Sequence, residues 1–233
     1  MFLSRLLSAL VFLTLLAPQC LFAQGALAGG TKENLDLPFD AIGENEEEED
    51  APEVVTFYGT QLEGDGFFYV IDKSGSMRDA GELEIAKREV IRNITEFSER
   101  VQFGVVLFDA NVVKFPSSGQ PADANPAMKA SAIAFVTSTP SAGGSCCQAG
   151  LLAALRMSQQ ASARRKVITY VGDGGGTCQG ANEQDYLKVT LATVTGQNYQ
   201  RAVINTIGVL SQIQEDFLRS LAAANGGTFT RIQ

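Results

Sequence analysis

The sequence contains no histidine and no tryptophan. Without His it lacks the commonest general base at neutral pH and the commonest zinc ligand, which weighs against hydrolytic catalysis. Basic clusters are also scarce. Lys and Arg number 18 against 26 Asp and Glu, the formal net charge is −8, and the one basic run is Arg164-Arg165-Lys166. That run precedes an apolar stretch and reads as a solvated helix-to-strand connection. Binding to nucleic acid needs a basic footprint, so no nucleic-acid partner is expected. There is no Gly-x-Ser-x-Gly elbow, no phosphate-cradling lysine loop and no Cys-x-x-Cys pair. The chain is therefore expected not to be an enzyme, with a metal-assisted hydrolase or a thiol-redox module as the alternatives.

Long apolar runs are missing as well. Leu6 to Ala17 is apolar apart from Ser8 and Thr14, about 12 residues where a bilayer span takes roughly 20. Arg5 precedes this stretch, and small residues follow at Ala23 and at Ala26-Leu27-Ala28. Residues 1–28 thus read as a signal peptide, with an uncleaved anchor as the alternative and no membrane span expected in the mature chain. Cys20 follows Gln19, which is unlike a lipoprotein acceptor site. Residues 29–52 read as an acidic flexible linker, because the like charges of Glu44 to Asp50, interrupted only by Asn45, repel one another and stay solvated. The expected location is outside the cytoplasm: secreted, periplasmic or associated with the cell envelope.

Residues 53–233 carry the globular pattern, in a chain of 233 residues that suits one core. Gly66 to Asp72 is a continuous apolar run ending in a carboxylate, as in a strand buried on both faces. Leu83, Ala86, Val90, Ile94 and Phe97 make one helical stripe over 82–98. A strand follows over Val101 to Asp109, and Asn111 to Phe115 turns back beside it. Helices are expected over 125–137 and 147–160, a strand over Lys166 to Gly172, and then helix 183–194, strand 202–209, helix 213–224 and strand 228–232. Alternation of this kind predicts an α/β fold: a three-layer, doubly wound, mostly parallel sheet flanked by helices. Ligands of such sheets bind beyond the carboxyl ends of the strands, where strand order reverses.

Two of those ends stand out. Asp72-Lys73-Ser74-Gly75-Ser76-Met77 follows the first strand, and Asp173-Gly174-Gly175-Gly176 follows Gly172. Gly143-Gly144-Ser145 stands between them, just before a helix. Two carboxylates brought together repel unless a positive charge lies between them. With the hydroxyls of Ser74, Ser76 and Ser145, the set is all oxygen and suits a hard divalent cation, Mg²⁺ first, with Mn²⁺ or Ca²⁺ possible. Asp72, Ser74 and Ser76 occupy alternate positions and so face one side of an extended turn. Lys73 follows Asp72 and is expected to point away. Asp109 reads as a turn or cap residue, with a place behind the ligands as the alternative. Asn93-Ile94-Thr95 fits a glycosylation acceptor but falls inside a helix, and is read as chance.

Taken in order, Asp72-x-Ser74-x-Ser76, Gly143-Gly144-Ser145 and Asp173-Gly174 resemble the von Willebrand factor type A (vWA) domain. The segments Ile204 to Val209, Phe217-Leu218 and Gly226 to Phe229 resemble it too, so the likeness covers about residues 65–233. The resemblance implies a vWA, Rossmann-like fold and a metal ion-dependent adhesion site (MIDAS). Ser74 and Ser76 would ligate the metal directly, and Asp72 and Asp173 directly or through waters. Ser145 would stand in place of the usual Thr, without the methyl that stiffens its rotamer. It further implies an open metal position filled by a Glu or Asp carboxylate of a protein partner. If Ser145 and Asp173 approach one ion, their loops are neighbours, and a disulfide from Cys178 to Cys146 or Cys147 is then expected. A vicinal Cys146–Cys147 bridge or three free thiols are the alternatives.

Overall fold

The computed structural model describes residues 51–232, apart from Thr177, Ala181 and the side chain of Gln179. The expected signal peptide, with Cys20, and the linker as far as residue 50 lie outside the described residues.

Glu53–Phe57 (β1) and Thr60–Gly64 (β2) form an antiparallel hairpin of their own. Its turn is Tyr58-Gly59, both with positive φ, 49° and 75°. The main sheet begins with Gly66–Asp72 (β3), in which every residue is buried. Helix α1 (Gly75–Asp79) and helix α2 (Glu82–Glu96) follow. Next come Gln102–Phe108 (β4), Val112–Phe115 (β5), Ala122–Asp123 (β6) and helix α3 (Pro126–Ser138), then helix α4 (Cys147–Gln159) and Lys166–Gly172 (β7). Helix α5 (Glu183–Gln197), Val203–Gly208 (β8), helix α6 (Glu215–Ala224) and Phe229–Arg231 (β9) complete the order.

The sheet runs β5-β4-β3-β7-β8-β9, with β6 also pairing β4. All neighbours are parallel except β5 and β6 on β4. This is the expected doubly wound α/β sheet. Successive β3 side chains face opposite sides, which explains its unbroken apolarity. Phe67, Tyr69 and Ile71 pack with Leu83, Ala86, Val90 and Ile94 of α2 and Ala132 and Val136 of α3. Phe68 and Val70 join the opposite cluster, with Leu151 and Leu155 of α4, Leu187 and Val194 of α5, and Leu218 and Leu221 of α6. Helices therefore cover both faces, and the order reverses between β3 and β7. The carboxyl ends of these two strands carry Asp72 and Asp173.

Boundaries shift by a residue or two, and α5 runs three residues beyond the expected 194, to Gln197. Helix α1 and the β1–β2 hairpin are additions to the sequence reading. Asn93 is fully buried in α2, where it accepts a 2.7 Å bond from Tyr69 Oη and donates to Thr56 O. Its amide is engaged in the fold, which accounts for the Asn-x-Thr triplet without glycosylation. Among the described residues, no helix is long and apolar enough to cross a membrane.

Candidate metal centre

Three loops meet beyond β3 and β7. The first runs from Asp72 into α1, the second is residues 142–146 ahead of α4, and the third starts at Asp173. Backbone bonds fasten the first two together: Gly75 N donates to Gly143 O at 3.3 Å and Ala142 N to Lys73 O at 3.2 Å. The third loop is held from the far side, where Gln214 N donates to Asp173 O at 2.8 Å.

All five oxygen-bearing residues singled out in the sequence come together here. Ser145 Oγ donates to Asp72 Oδ2 at 3.0 Å, while Asp72 Oδ1 accepts from Ser74 N at 2.7 Å. The Ser74 and Ser76 hydroxyls lie 3.1 Å apart, and Ser76 Oγ donates to Asp173 Oδ2 at 3.0 Å. A continuous polar chain thus runs from Ser145 through Asp72, Ser74 and Ser76 to Asp173. Asp72 is fully buried and Ser74 nearly so, whereas Ser76 is exposed and Asp173 half-buried. The cluster is sealed beneath and open above.

Glycine makes the approach possible. A Cβ on Gly172 would lie 2.8 Å from Asp72 Cβ and 2.9 Å from Tyr170 Oη, so β7 could not sit this close to β3 with a larger residue. Gly176 adopts φ +121°, and a Cβ there would meet Ser145 O at 2.5 Å. Cys146 and Cys178 are joined by a disulfide with a Cα–Cα distance of 4.7 Å, which ties the Ser145 loop to the Asp173 loop. Cys147 is a buried free thiol. Burial pushes it up to about 12, so it is a protonated, unreactive group at neutral pH.

Electrostatics favour a cation. Burial raises the Asp72 carboxyl to about 6, and the nearby Asp173 charge adds to this, against the lowering effect of bonds from Ser74 and Ser145. Among the described residues, no Lys or Arg pairs with Asp72 or Asp173. Nor is there a group of three or more His, Cys, Asp or Glu placed to hold a metal. The donor set is instead two carboxylates and three hydroxyls, which fits a hard, oxygen-seeking ion rather than one held by thiolate or imidazole.

Three neighbours of the cluster were poorly legible in sequence. The Lys73 ammonium does point away from the hydroxyls, but into a buried ion pair with Asp109. Asp109 also closes the turn after β4 by accepting from Asn111 N at 2.6 Å. Glu183, the first residue of α5, accepts from Gly176 N at 2.9 Å and so steadies the Asp173 loop. Only its place at a helix start, after the Asn182 cap, marked it in the sequence.

The comparisons agree with this architecture. The family model of the von Willebrand factor type A domain matches residues 67–175. No curated protein matches the sequence. Among solved structures, the fold is similar to a von Willebrand factor type A protein from Catenulispora acidiphila, with TM-score 0.62 and 19% identity over 78% of this chain and 46% of that one. It is similar to the pilus adhesin SpaC from Lactobacillus rhamnosus GG, with TM-score 0.58 and 14% identity over 78% of this chain and 28% of that one. It is also similar to proximal thread matrix protein 1 from the mussel byssus, a structure with a zinc-occupied MIDAS motif, with TM-score 0.53 and 18% identity over 71% of this chain and 41% of that one. The chain spans less than half the length of each of these three proteins. The strand order, the family match over residues 67–175 and the structural neighbours agree on a fold like that of the von Willebrand factor type A domain.

Proposed function

We propose that this chain is an exported, metal-dependent protein-binding module, whose ion is held by Asp72, Ser74, Ser76, Ser145 and Asp173. Domains of this type are generally protein-interaction or adhesion modules, some of them metal-dependent. The observation that carries the reading is the single hydrogen-bonded chain through those five residues, with two carboxylates and, among the described residues, no Lys or Arg paired with either. A divalent cation, Mg²⁺ first, would supply the missing positive charge there. The mussel protein with its zinc-occupied MIDAS supports metal binding by this fold. The exposed side of the cluster leaves room for a Glu or Asp carboxylate from a protein partner. Partner choice would rest on contacts around that carboxylate. In this reading, residues 1–28 direct export and residues 29–52 tether the domain.

The test is capture of proteins from extracellular extract on the immobilised chain, with Mg²⁺ or with a chelator. Partner release by the chelator is expected, as is loss of binding when the partner's contacting Glu or Asp is replaced by Ala. Binding that survives chelation unchanged would exclude the mechanism.

A further inference from the structure

Lys73 sits between two residues assigned to the ion, yet its ammonium pairs with the Asp109 carboxylate. Both residues are nearly inaccessible, Lys73 at 6% and Asp109 at 2% exposure. Charges so buried lose their hydration, and an apolar pair of similar size often serves stability as well or better. A reason for the pair lies in what the two backbones hold. Lys73 O accepts from Ala142 N at 3.2 Å, and Asp109 O accepts from Cys146 N at 2.9 Å. Ser145 is therefore slung between two anchors, one on each member of the ion pair. Lys73 N also donates to Phe108 O at 2.8 Å, and Asp109 Oδ1 accepts from Asn111 N at 2.6 Å. The pair thus draws together the β3–α1 loop, the β4–β5 turn and the segment ahead of α4.

We propose that Lys73 and Asp109 form a positioning pair that locks these three segments, aims the Ser145 hydroxyl at Asp72 and thereby sets affinity for the divalent cation. The proposal rests on the metal reading above. Neither residue touches the ion; both act through Ser145 and the Asp72–Ser76 loop. Partners behind metal ligands commonly change affinity by about 10–100-fold when removed.

The experiment is Mn²⁺ titration calorimetry of the wild-type chain, Lys73→Met and Asp109→Asn, each with and without Ser145→Ala. Asp109→Asn is nearly isosteric and gives the reading should Lys73→Met not fold. Variants that keep the wild-type circular dichroism are expected to bind Mn²⁺ about 10–100-fold more weakly. Adding Ser145→Ala to them should cost less than it costs the wild type, because the pair acts through that hydroxyl. Amide exchange at Ala142 and Cys146 should quicken in the same variants. Unchanged affinity in folded variants, or losses fully additive with Ser145→Ala, would overturn the role of the pair while leaving the metal site standing. A wild-type chain that takes up no Mn²⁺ overturns the metal reading, and this inference with it.

Discussion

Replacing both bridged cysteines, Cys146→Ala with Cys178→Ala, separates the two loops that carry Ser145 and Asp173. The double change is needed because Cys178→Ala alone would leave a Cys146 thiol beside Cys147. The bridge spans a sequence separation of 32 residues. In the chain-entropy account a loop of that size stabilises the fold by about 3–4 kcal/mol. For a domain of this length each kcal/mol moves Tm by about 2–4 °C, so a fall of about 7–15 °C is expected. The second consequence is functional. Among the described residues, no backbone hydrogen bond joins residues 142–146 to the Asp173 loop, and the disulfide is their covalent tie. Without it, the Asp173 loop must be ordered when the ion binds, and an ordering cost of about 1.4 kcal/mol weakens affinity about tenfold. Calorimetric unfolding gives the first number and Mn²⁺ titration the second. Using the variant avoids reductants that compete for metal. Thiol counting on the denatured oxidised protein, cut to residues 29–233, should find one free thiol, Cys147. Three free thiols, or a variant matching the wild type in both Tm and metal affinity, would refute the reasoning.

Asp72→Asn should raise the stability of the metal-free protein at pH 7 while abolishing metal-induced stabilisation. Burial lifts Asp72 from 3.8 to about 6, a cost of about 3 kcal/mol for its charged form. A raised folded value favours the fold below about pH 4, and that advantage is lost as pH rises through about 6. Urea unfolding should therefore show the wild type losing about 1–3 kcal/mol relative to Asp72→Asn between pH 4 and pH 7. A constant difference across that range would count against a buried, repelled carboxylate. Gly176→Ala places a methyl 2.5 Å from Ser145 O at φ +121°. It should cost about 1–3 kcal/mol and weaken Mn²⁺ binding by moving the Asp173 loop; an unchanged unfolding midpoint and affinity would show that the loop has slack there.

The sheet and its helices were legible because their periods are strong. Gly66 to Asp72 and Lys166 to Gly172 are unbroken apolar runs, and α2 shows one clean stripe. The hairpin β1–β2 was not, because its Tyr58-Gly59 turn lacks the Asn-Gly or Asp-Gly signal of a two-residue turn. Helix α1 is only five residues long and starts on a glycine, too short for a stripe. The five oxygen-bearing residues of the cluster were visible because each stands at a strand end or ahead of a helix, where topology predicts convergence. The disulfide partner was left open between Cys146 and Cys147 for a physical reason: adjacent residues face different ways, and the sequence does not show which way. The structure makes Cys147 the first residue of α4, pointing into the core, and leaves Cys146 as its non-helical N-cap, free to reach Cys178. The Lys73–Asp109 pair was hidden for another reason. Its members lie 36 residues apart, each just past the end of a different strand, and each alone reads as a surface charge or a turn residue.

The central claim is that Asp72, Ser74, Ser76, Ser145 and Asp173 together hold one divalent cation, and titration calorimetry with Mg²⁺ and Mn²⁺ tests it most directly. The wild-type chain should bind a single ion. Asp72→Ala, which removes the buried carboxylate bonded to both Ser74 and Ser145, should abolish binding, and Ser145→Ala, which removes one hydroxyl, should weaken it less. Equal metal affinity in the wild type and in Asp72→Ala would contradict the account.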